Sequence, residues 1–167
     1  DIAFQAPTQI KFGVGKIANL GEELQIEDDL GDLTRVALIT DRSLAGLGVV
    51  ERIKLGFHGS PYEVVAVFDD VPSDLDVNTV DAAATVILES AAELIIAVGG
   101  GSVIDTAKAA AVVATHGGRI HDYEGLYIVP GPCTPIIAIP TTCGTGSEVS
   151  GGAVIKDHAA KAKVILG

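Results

Sequence analysis

The stretch from Leu94 to Lys108 constrains the fold of this chain more than any other. It reads Leu-Ile-Ile-Ala-Val-Gly-Gly-Gly-Ser-Val-Ile-Asp-Thr-Ala-Lys. Five apolar residues without polar alternation predict a strand buried on both faces, and the alanine-rich run after Ser102 predicts a helix packed back onto that strand. Glycine costs about 1 kcal/mol relative to alanine wherever its freedom is not needed. Three consecutive glycines between the strand and the helix therefore indicate a turn that a ligand approaches closely.

We interpret this turn as an anion site. The first amide N–H groups of a helix have no acceptor within the helix, and the helix dipole favours negative charge at that end. A phosphate group is the expected ligand, and the residues expected to contact it are Gly99, Gly100, Gly101 and Ser102.

A purely structural interpretation of the turn stays open. Ser102 and Asp105 have the spacing of a capping box, with Ser102 as the N-cap, and Lys108 could form an ordinary surface ion pair with Asp105. Capping alone does not require three glycines. The turn is also neither a Rossmann fingerprint, because Ile104 stands where a third small residue is needed, nor a Walker A loop.

Along the rest of the chain, short apolar runs alternate with helical patterns. This alternation is typical of an α/β domain with a mostly parallel sheet, and 167 residues suit one domain over residues 1–167. The predicted strands are Thr8–Phe12, Val36–Thr40, Tyr62–Phe68, Leu94–Val98 and Pro135–Ile139. The predicted helices are Ile17–Leu24, Leu44–Leu55 with an interruption near Gly46 and Gly48, Asp76–Glu89, and Ser102 to about His116. A solvated acidic loop is predicted for Glu27–Asp32, and a terminal hairpin for Val154–Lys156 with Ala162–Leu166.

Three polar or glycine-rich segments follow predicted strands directly. They are Asp41, the turn from Gly99 to Ser102, and the loop from Thr141 to Ser147. Ligands of open parallel sheets bind beyond the carboxyl ends of the strands. The sequence therefore predicts one crevice lined by all three segments.

Asp41 is the candidate for ribose recognition. A carboxylate at a strand end accepts hydrogen bonds from ribose hydroxyls and repels the additional phosphate of NADP. The structural alternative is that Asp41 caps the helix that carries Leu44.

The loop after the last parallel strand carries several hydroxyl groups. Thr141, Thr142, Thr145 and Ser147 suit contacts to a pyrophosphate or to the nicotinamide ribose. Thr145 and Glu148 could also form a capping box that opens a helix. Both functions are compatible, because a capped helix start is itself an anion site.

The charge balance excludes one class of partner. The chain has 22 acidic and 11 basic residues, a formal net charge of −11, which argues against a general nucleic-acid surface. Its apolar runs are short and interrupted, so neither a membrane span nor a signal peptide is expected, and a cytoplasmic location without a membrane partner is the default. Two cysteines, Cys133 and Cys143, fit a reducing compartment, although a disulfide between them stays open.

No catalytic residue and no metal ligand can be assigned from the residues themselves. The four histidines, His58, His116, His121 and His158, show no paired helical spacing and are flanked by Gly, Asp or Lys, as solvated loop residues usually are. No serine or cysteine nucleophile motif accompanies them. Cys143 lies in the predicted crevice, but nothing near it in sequence argues for a lowered pKa.

Two motifs together resemble the iron-containing (group III) alcohol dehydrogenases. They are Gly99–Lys108 and Pro140–Val149, and the opening Thr8–Gly15, the strand end at Asp41 and the closing Lys161–Lys163 fit the amino-terminal half of that family in the same order. The resemblance covers essentially the whole chain. It implies a Rossmann-like layered domain of the kind shared with dehydroquinate synthases, without the helical metal-binding domain that follows in the family.

The same resemblance implies a cofactor and its contacts. The cofactor is NAD, with NADP possible, its pyrophosphate lying on Gly100 to Ser102 and its adenosine ribose near Asp41. Ser73 stands near the position where the family commonly has an asparagine, which weakens an adenine-side contact there. The remaining contacts implied are Thr141, Thr142, Thr145 and Lys163 on the phosphate and nicotinamide side, with Asp105 orienting the cofactor.

The implied function is that of an NAD(P)-dependent alcohol dehydrogenase or aldehyde reductase acting on a small alcohol or aldehyde. This chain would supply the dinucleotide-binding part, and Fe²⁺ or Zn²⁺ would be expected only with an aspartate and three histidines of the helical domain. The alternatives are a free-standing, non-catalytic dinucleotide-binding module and a residual metal-independent reductase with Cys143, a histidine or solvent as proton donor. A homo-oligomer is expected, because apolar surface left bare by a missing domain needs a cover.

Overall fold

A four-stranded parallel sheet forms the centre of the molecule, and its strand order is β2-β1-β3-β4. The structure is a computed structural model that describes residues 8–27, 30 and 32–167. The parallel strands are β1 (Arg35–Ile39), β2 (Glu63–Phe68), β3 (Leu94–Gly99) and β4 (Ile136–Pro140), and the antiparallel hairpin consists of β5 (Ala153–Asp157) and β6 (Ala162–Leu166). The α/β fold with a mostly parallel sheet and a terminal hairpin is thereby confirmed.

Helices connect the strands much as the sequence predicts. They are α1 (Leu20–Gln25), α2 (Arg42–Gly46), α3 (Val49–Gly56), α4 (Val77–Glu89) and α5 (Gly101–His116), with single 3-10 turns at Lys16–Asn19, Ile120–Tyr123 and Ser147–Val149. Gly48 separates α2 from α3 because its backbone is left-handed, with φ of 79°. In the described part of the chain, no helix has both the length and the apolar character needed to cross a membrane.

Strand β3 is the core of the sheet, and its two faces pack on different helices. Leu94, Ile96 and Val98 lie in a buried cluster with residues of α1 and α3, whereas Ile95 and Ala97 lie in a second cluster with α4, α5 and the inner face of the hairpin. All five side chains are at most 2% exposed. A strand covered on both faces needs no polar alternation, which explains the continuous apolar run.

The predicted strand Thr8–Phe12 is wrong. Residues 9–13 have no regular secondary structure, and the side chains of Ile10 and Phe12 are 69% and 95% exposed. A strand needs a neighbour for its N–H and C=O groups, and no strand of the described sheets pairs with this segment. The predicted acidic loop Glu27–Asp32 lies partly outside the described residues; Glu27 is described without regular secondary structure, and Leu30 and Asp32 lie in turns.

Candidate functional site

The order of the strands places a topological switch point between β1 and β3. The chain leaves β1 through α2 and α3 towards β2, and Ile53 of α3 packs on one face of the sheet. It leaves β3 through α5 towards β4, and Ile104 of α5 packs on the opposite face. Neighbouring parallel strands whose connections diverge in this way open a crevice at their carboxyl ends. The residues at those ends are Asp41 and the glycine turn, as the sequence predicts.

Helix α5 begins with amide groups that lack a partner. Gly100 is its N-cap, in extended conformation, and its carbonyl oxygen accepts the N–H groups of Val103 and Ile104 at 3.1 Å each. The amides of Gly101 and Ser102 have no hydrogen-bond acceptor within the described residues. Two N–H donors at the positive end of a 16-residue helix are an arrangement that favours an anion.

The glycines of the turn are required by close packing. A Cβ atom on Gly99 would lie 2.5 Å from Cγ2 of Val103, and one on Gly100 would lie 3.0 Å from Oγ1 of Thr142. The N–H of Thr141 donates to the Gly99 carbonyl at 2.9 Å, which holds the threonine loop against the turn. The glycine turn and this loop are therefore in direct contact.

The second half of the threonine loop packs on Gly101. A Cβ there would lie 3.0 Å from Cγ2 of Thr145 and 3.2 Å from Oγ of the buried Ser147. The hydroxyl of Thr145 accepts the N–H of Ser147 at 3.3 Å, and only a three-residue 3-10 turn follows. The capping box of Thr145 with Glu148 is thus wrong, because the bond reaches two residues ahead instead of three and no longer helix opens there.

The capping box of Ser102 with Asp105 is also wrong. The helix already begins at Gly101, so that Ser102 lies in its first turn and its hydroxyl donates to the Ser73 carbonyl at 2.9 Å. Oδ2 of Asp105 instead accepts the N–H of Val154 at 3.1 Å. These two side chains anchor the loop after β2 and the first strand of the hairpin to α5.

Lys108 forms the ion pair with Asp105 that the sequence spacing allowed, with Nζ 3.7 Å from Oδ1, but Lys108 does not lie at the surface. Its side chain is 16% exposed, and Nζ donates to the carbonyl of Gly152 at 2.8 Å and to the hydroxyl of Ser150 at 3.2 Å. Burial lowers the pKa of the Lys108 ammonium, against the opposing effect of the Asp105 and Glu148 carboxylates. One buried oxygen of each carboxylate has no hydrogen-bond partner within the described residues, so Lys108 is the cation that offsets their charge.

A cleft of about 260 Å³ lies beside the start of α5. It brings together three of the residues predicted to bind the cofactor, Ser102, Asp105 and Lys163. The other lining residues are Ser73, Asp74, Leu75, Val154 and Lys156. Asp41 and residues 141–147 do not line this cleft, which is therefore only one part of the predicted crevice.

Sequence reasoning missed Asp74 and Lys156, whose side chains form an ion pair at the edge of this cleft. The position of Lys156 beside Lys163 could have been predicted from the pattern of the terminal hairpin. Side chains alternate along a strand, and Lys156 lies directly opposite Lys163, so both extend from the same outer face. The position of Asp74 follows a turn after β2 and has no comparable signal.

Asp41 has the structural function that was left open. Its Oδ1 accepts the N–H of Leu44 at 3.0 Å and caps α2. The next residue, Arg42, points to the adjacent strand end, where Nη2 lies 2.9 Å from Oδ2 of Asp70. Capping uses one carboxylate oxygen, and Oδ2 of Asp41 has no hydrogen-bond partner within the residues that the structure describes.

A buried hydroxyl joins β1 to β3 immediately before Asp41. Thr40 is fully buried, and its Oγ1 donates to the Val98 carbonyl at 2.8 Å. We expect Thr40→Val to lower the free energy of unfolding by about 1 kcal/mol, the usual net contribution of one buried hydrogen bond. Urea denaturation measures the change. The control is Thr85→Val on the exposed side of α4, where the hydroxyl bonds to the Asp81 carbonyl, and equal losses in both variants would contradict the prediction.

The histidines do not all lie in solvated loops. His116 ends α5 with Nε2 3.6 Å from Sγ of Cys133, and Nε2 of His121 lies 2.8 Å from Oδ2 of Asp157. Both cysteines are free, and burial raises the pKa of the Cys133 thiol, while Cys143 is exposed. Across residues 8–27, 30 and 32–167, no three His, Cys, Asp or Glu side chains come together as a metal site.

Known proteins share both the sequence and the fold of this chain. The model of the family described as iron-containing alcohol dehydrogenase matches residues 7–167. A choline dehydrogenase of Bacillus subtilis (strain 168) is 38% identical over 158 residues, which are 93% of this chain and 38% of that protein. An NAD-dependent methanol dehydrogenase of Bacillus methanolicus is 34% identical over 161 residues, 96% of this chain and 41% of that protein.

A solved structure gives the same result for the fold. The NADH-dependent butanol dehydrogenase A of Thermotoga maritima superposes with a TM-score of 0.87 at 30% identity, over 100% of this chain and 41% of that one. The chain therefore spans about two fifths of the length of the relatives that it matches. The resemblance seen in the motifs Gly99–Lys108 and Pro140–Val149 is confirmed along nearly the whole sequence. The chain belongs to the iron-containing alcohol dehydrogenase family.

Proposed function

We propose that residues 1–167 form the nucleotide-binding domain of an NAD-dependent alcohol dehydrogenase or aldehyde reductase. The observation that carries this proposal is the pair of amides, Gly101 and Ser102, at the start of α5 beside the switch point of the sheet, which find no acceptor in the described part of the chain. Family membership supports it, as do the cofactors in the names of the methanol and butanol dehydrogenases.

The pyrophosphate of the cofactor would lie on the backbone of Gly100 to Ser102. The Ser102 hydroxyl already donates its proton to Ser73, so the amides and not this hydroxyl supply the donors. The adenosine ribose would lie at Asp41, whose Oδ2 is free to accept a ribose hydroxyl while Oδ1 caps α2. One carboxylate thus serves both functions considered for it.

The other end of the cofactor would lie along the threonine loop and the hairpin. Lys163 of β6 lines the cleft that Ser102 and Asp105 also line, and its ammonium group suits a phosphate or ribose oxygen. The hydroxyl groups proposed for this side are those of Thr141, Thr142, Thr145 and Ser147. The cytoplasm is the proposed location, and a homo-oligomer the proposed assembly.

The contribution of this domain to catalysis is positioning. When bound at these residues, the nicotinamide would supply the hydride acceptor for an alcohol or the hydride donor for an aldehyde. Contacts to the pyrophosphate and both riboses would fix the nicotinamide relative to the substrate. The binding energy of these contacts would then offset the entropy lost when the two reacting groups are brought together. The described residues do not fit the metal of the family, since they group no three ligands. We propose that Fe²⁺ or Zn²⁺ is held by a part of the protein outside these 167 residues.

Calorimetry with NADH and NADPH tests the proposal. We expect saturable binding of NADH that ADP displaces, because ADP carries the adenosine ribose and the pyrophosphate. Absence of heat with both cofactors, together with absence of ADP binding, would contradict it.

A non-catalytic dinucleotide-binding module is the second candidate, favoured by the lack of grouped metal ligands in the described residues. Both candidates require NADH binding, so turnover separates them. NADH oxidation by a small aldehyde that depends on added Fe²⁺ or Zn²⁺ would support the enzyme. NADH binding without turnover in the complete protein, with either metal, would support the module.

The proposed contact of Asp41 gives a specific prediction. Asparagine is as good an N-cap as aspartate, so Asp41→Asn keeps the bond to Leu44 and removes only the charge. We expect NADPH affinity to rise about tenfold, because one repulsive charge near the 2′-phosphate is removed. Calorimetric titration with each cofactor checks this, and an unchanged ratio of the two affinities would exclude Asp41 from cofactor selection.

A further inference from the structure

An arginine adjoins the proposed ribose site and is paired with an acid. Arg42 is the first residue of α2, directly after Asp41, and its Nη2 lies 2.9 Å from Oδ2 of Asp70 beyond the end of β2. The two side chains are 76% and 62% exposed. Strands β1 and β2 are neighbours, so this pair joins the two strand ends beside the ribose position.

The pair has little structural importance. Exposed ion pairs contribute about 0–1 kcal/mol to stability, and within the described residues the side chains of this pair make no other ion pair. Its chemistry is more informative. Arginine is the usual ligand of the 2′-phosphate in NADP-binding sites of layered α/β folds, because its planar guanidinium donates two parallel hydrogen bonds to phosphate oxygens.

We propose that Asp70 is a specificity-determining residue that withholds Arg42 from the 2′-phosphate of NADP. This inference rests on the proposed function, with the adenosine ribose at Asp41. Asp70 acts in two ways: it turns the guanidinium towards β2, and its charge at 2.9 Å cancels the attraction that Arg42 would exert on a phosphate.

The local charge balance follows from this arrangement. Three carboxylates, Asp41, Asp69 and Asp70, follow the ends of β1 and β2, and the guanidinium of Arg42 pairs with Asp70 there. Asp41 repels a 2′-phosphate directly, and Asp70 neutralises the cation that could attract one. NAD brings a neutral 2′-hydroxyl and is insensitive to the second effect.

Asp69 provides a matched control. It is exposed, adjoins Asp70 in sequence and forms no ion pair within the described residues. Asp69→Asn and Asp70→Asn therefore make the same change of net charge one residue apart, and only the second releases Arg42.

The experiment is a calorimetric titration of NADH and NADPH into Asp41→Asn protein, alone and combined with Asp70→Asn, with Asp69→Asn, or with Asp70→Asn plus Arg42→Gln. We expect Asp70→Asn to tighten NADPH binding about tenfold further, the range of a charge-assisted phosphate contact, and to leave NADH within about twofold. The Asp69→Asn variant should tighten NADPH binding less than about threefold, because exposed charges are screened. Arg42→Gln should remove the gain.

Two results would overturn the inference. One is an equal gain in NADPH affinity from Asp69→Asn and Asp70→Asn, which would show that the net charge of the region, and not the release of Arg42, is responsible. The other is a gain in NADPH affinity that persists in the variant with Arg42→Gln. In both cases NADH would still bind, so the proposed function would stand. If the unsubstituted protein did not bind NADH, the proposed function and this inference would both be contradicted.

Discussion

Replacing Gly100 by aspartate is expected to lower NADH affinity at least about 100-fold, which corresponds to about 2.7 kcal/mol. Gly100 is the N-cap of α5, and its φ of −80° is open to any residue. A new carboxylate there faces the proposed pyrophosphate, and two like charges about 4 Å apart near a protein surface repel by roughly 4 kcal/mol. The aspartate also accepts the amides that the phosphate needs, because an N-cap side chain bonds to the N–H groups of the first turn.

The fold is expected to survive this change. Aspartate is among the best N-cap residues, and the atoms nearest the new Cβ would be Oγ1 and Cγ2 of Thr142, at 3.0 Å and 3.4 Å, which both move by rotation of that side chain. Chemical denaturation should therefore show unchanged or slightly increased stability. Loss of binding with stability retained is the signature of a site residue.

Two control variants separate the effect of the new negative charge on NADH binding from the effect of capping the amides. Gly100→Asn caps the helix without a charge and should weaken NADH binding only about tenfold, by competition for the amides. Gly131→Asp adds the same charge before β4, where a Cβ meets no atom within 4 Å, and should leave binding unchanged. Unchanged calorimetric affinity in Gly100→Asp itself would exclude the start of α5 as the phosphate site.

The elements that could be predicted from the sequence are those whose residue pattern has a single structural explanation. Strand β3 is apolar throughout because helices cover both of its faces, and that pattern identifies a buried parallel strand. The interruption between α2 and α3 follows from glycine at position 48. Predicting that Asp41 and the glycine turn lie at one edge required only that β1 and β3 be parallel, which the structure confirms.

The errors arose where a local motif competed with tertiary contacts. Ser102 and Thr145 each had the spacing of a capping box, but Ser102 bonds to the loop at Ser73 and Thr145 closes a turn against Gly101. The bonds of Lys108 to Ser150 and Gly152 span more than 40 residues, and no periodicity encodes them. Side-chain partners distant in sequence are decided by packing, which one sequence does not reveal.

The proposed site also reconciles an acidic protein with an anionic ligand. The chain carries a formal charge of −11, so its overall field repels a dinucleotide. Backbone amides act over a few ångströms, and the donors of Gly101 and Ser102 would face a ligand at the proposed site directly. Lys163 contributes the nearby positive charge from the hairpin. At the proposed site, local donors would therefore determine the affinity, while the overall charge would affect mainly the rate of encounter.

Gly99→Ala is expected to lower the free energy of unfolding by about 3 kcal/mol, at the upper end of the cost of overpacking a core. The new Cβ would lie 2.5 Å from Cγ2 and 2.6 Å from Cβ of Val103. A Cγ atom can move by rotation about χ1, but the Cβ of Val103 is fixed to the backbone of α5. The helix must therefore shift relative to β3, and NADH affinity should fall with stability because the amides of Gly101 and Ser102 move with the helix.

The same substitution made in a Val103→Ala variant distinguishes a shift of α5 from a clash that a change of side-chain rotamer relieves. Val103→Ala removes both Cγ atoms but leaves the Cβ at 2.6 Å, so Gly99→Ala should still cost at least about 2 kcal/mol when added to that variant. Gly131→Ala, in open space, gives the effect of a methyl group without contact. Urea denaturation of the unsubstituted protein, the two single variants, the double variant and Gly131→Ala measures each step. Full recovery of stability in the Val103→Ala background would show that side-chain crowding alone was responsible, and that α5 is not fixed to β3 by backbone contact at this turn.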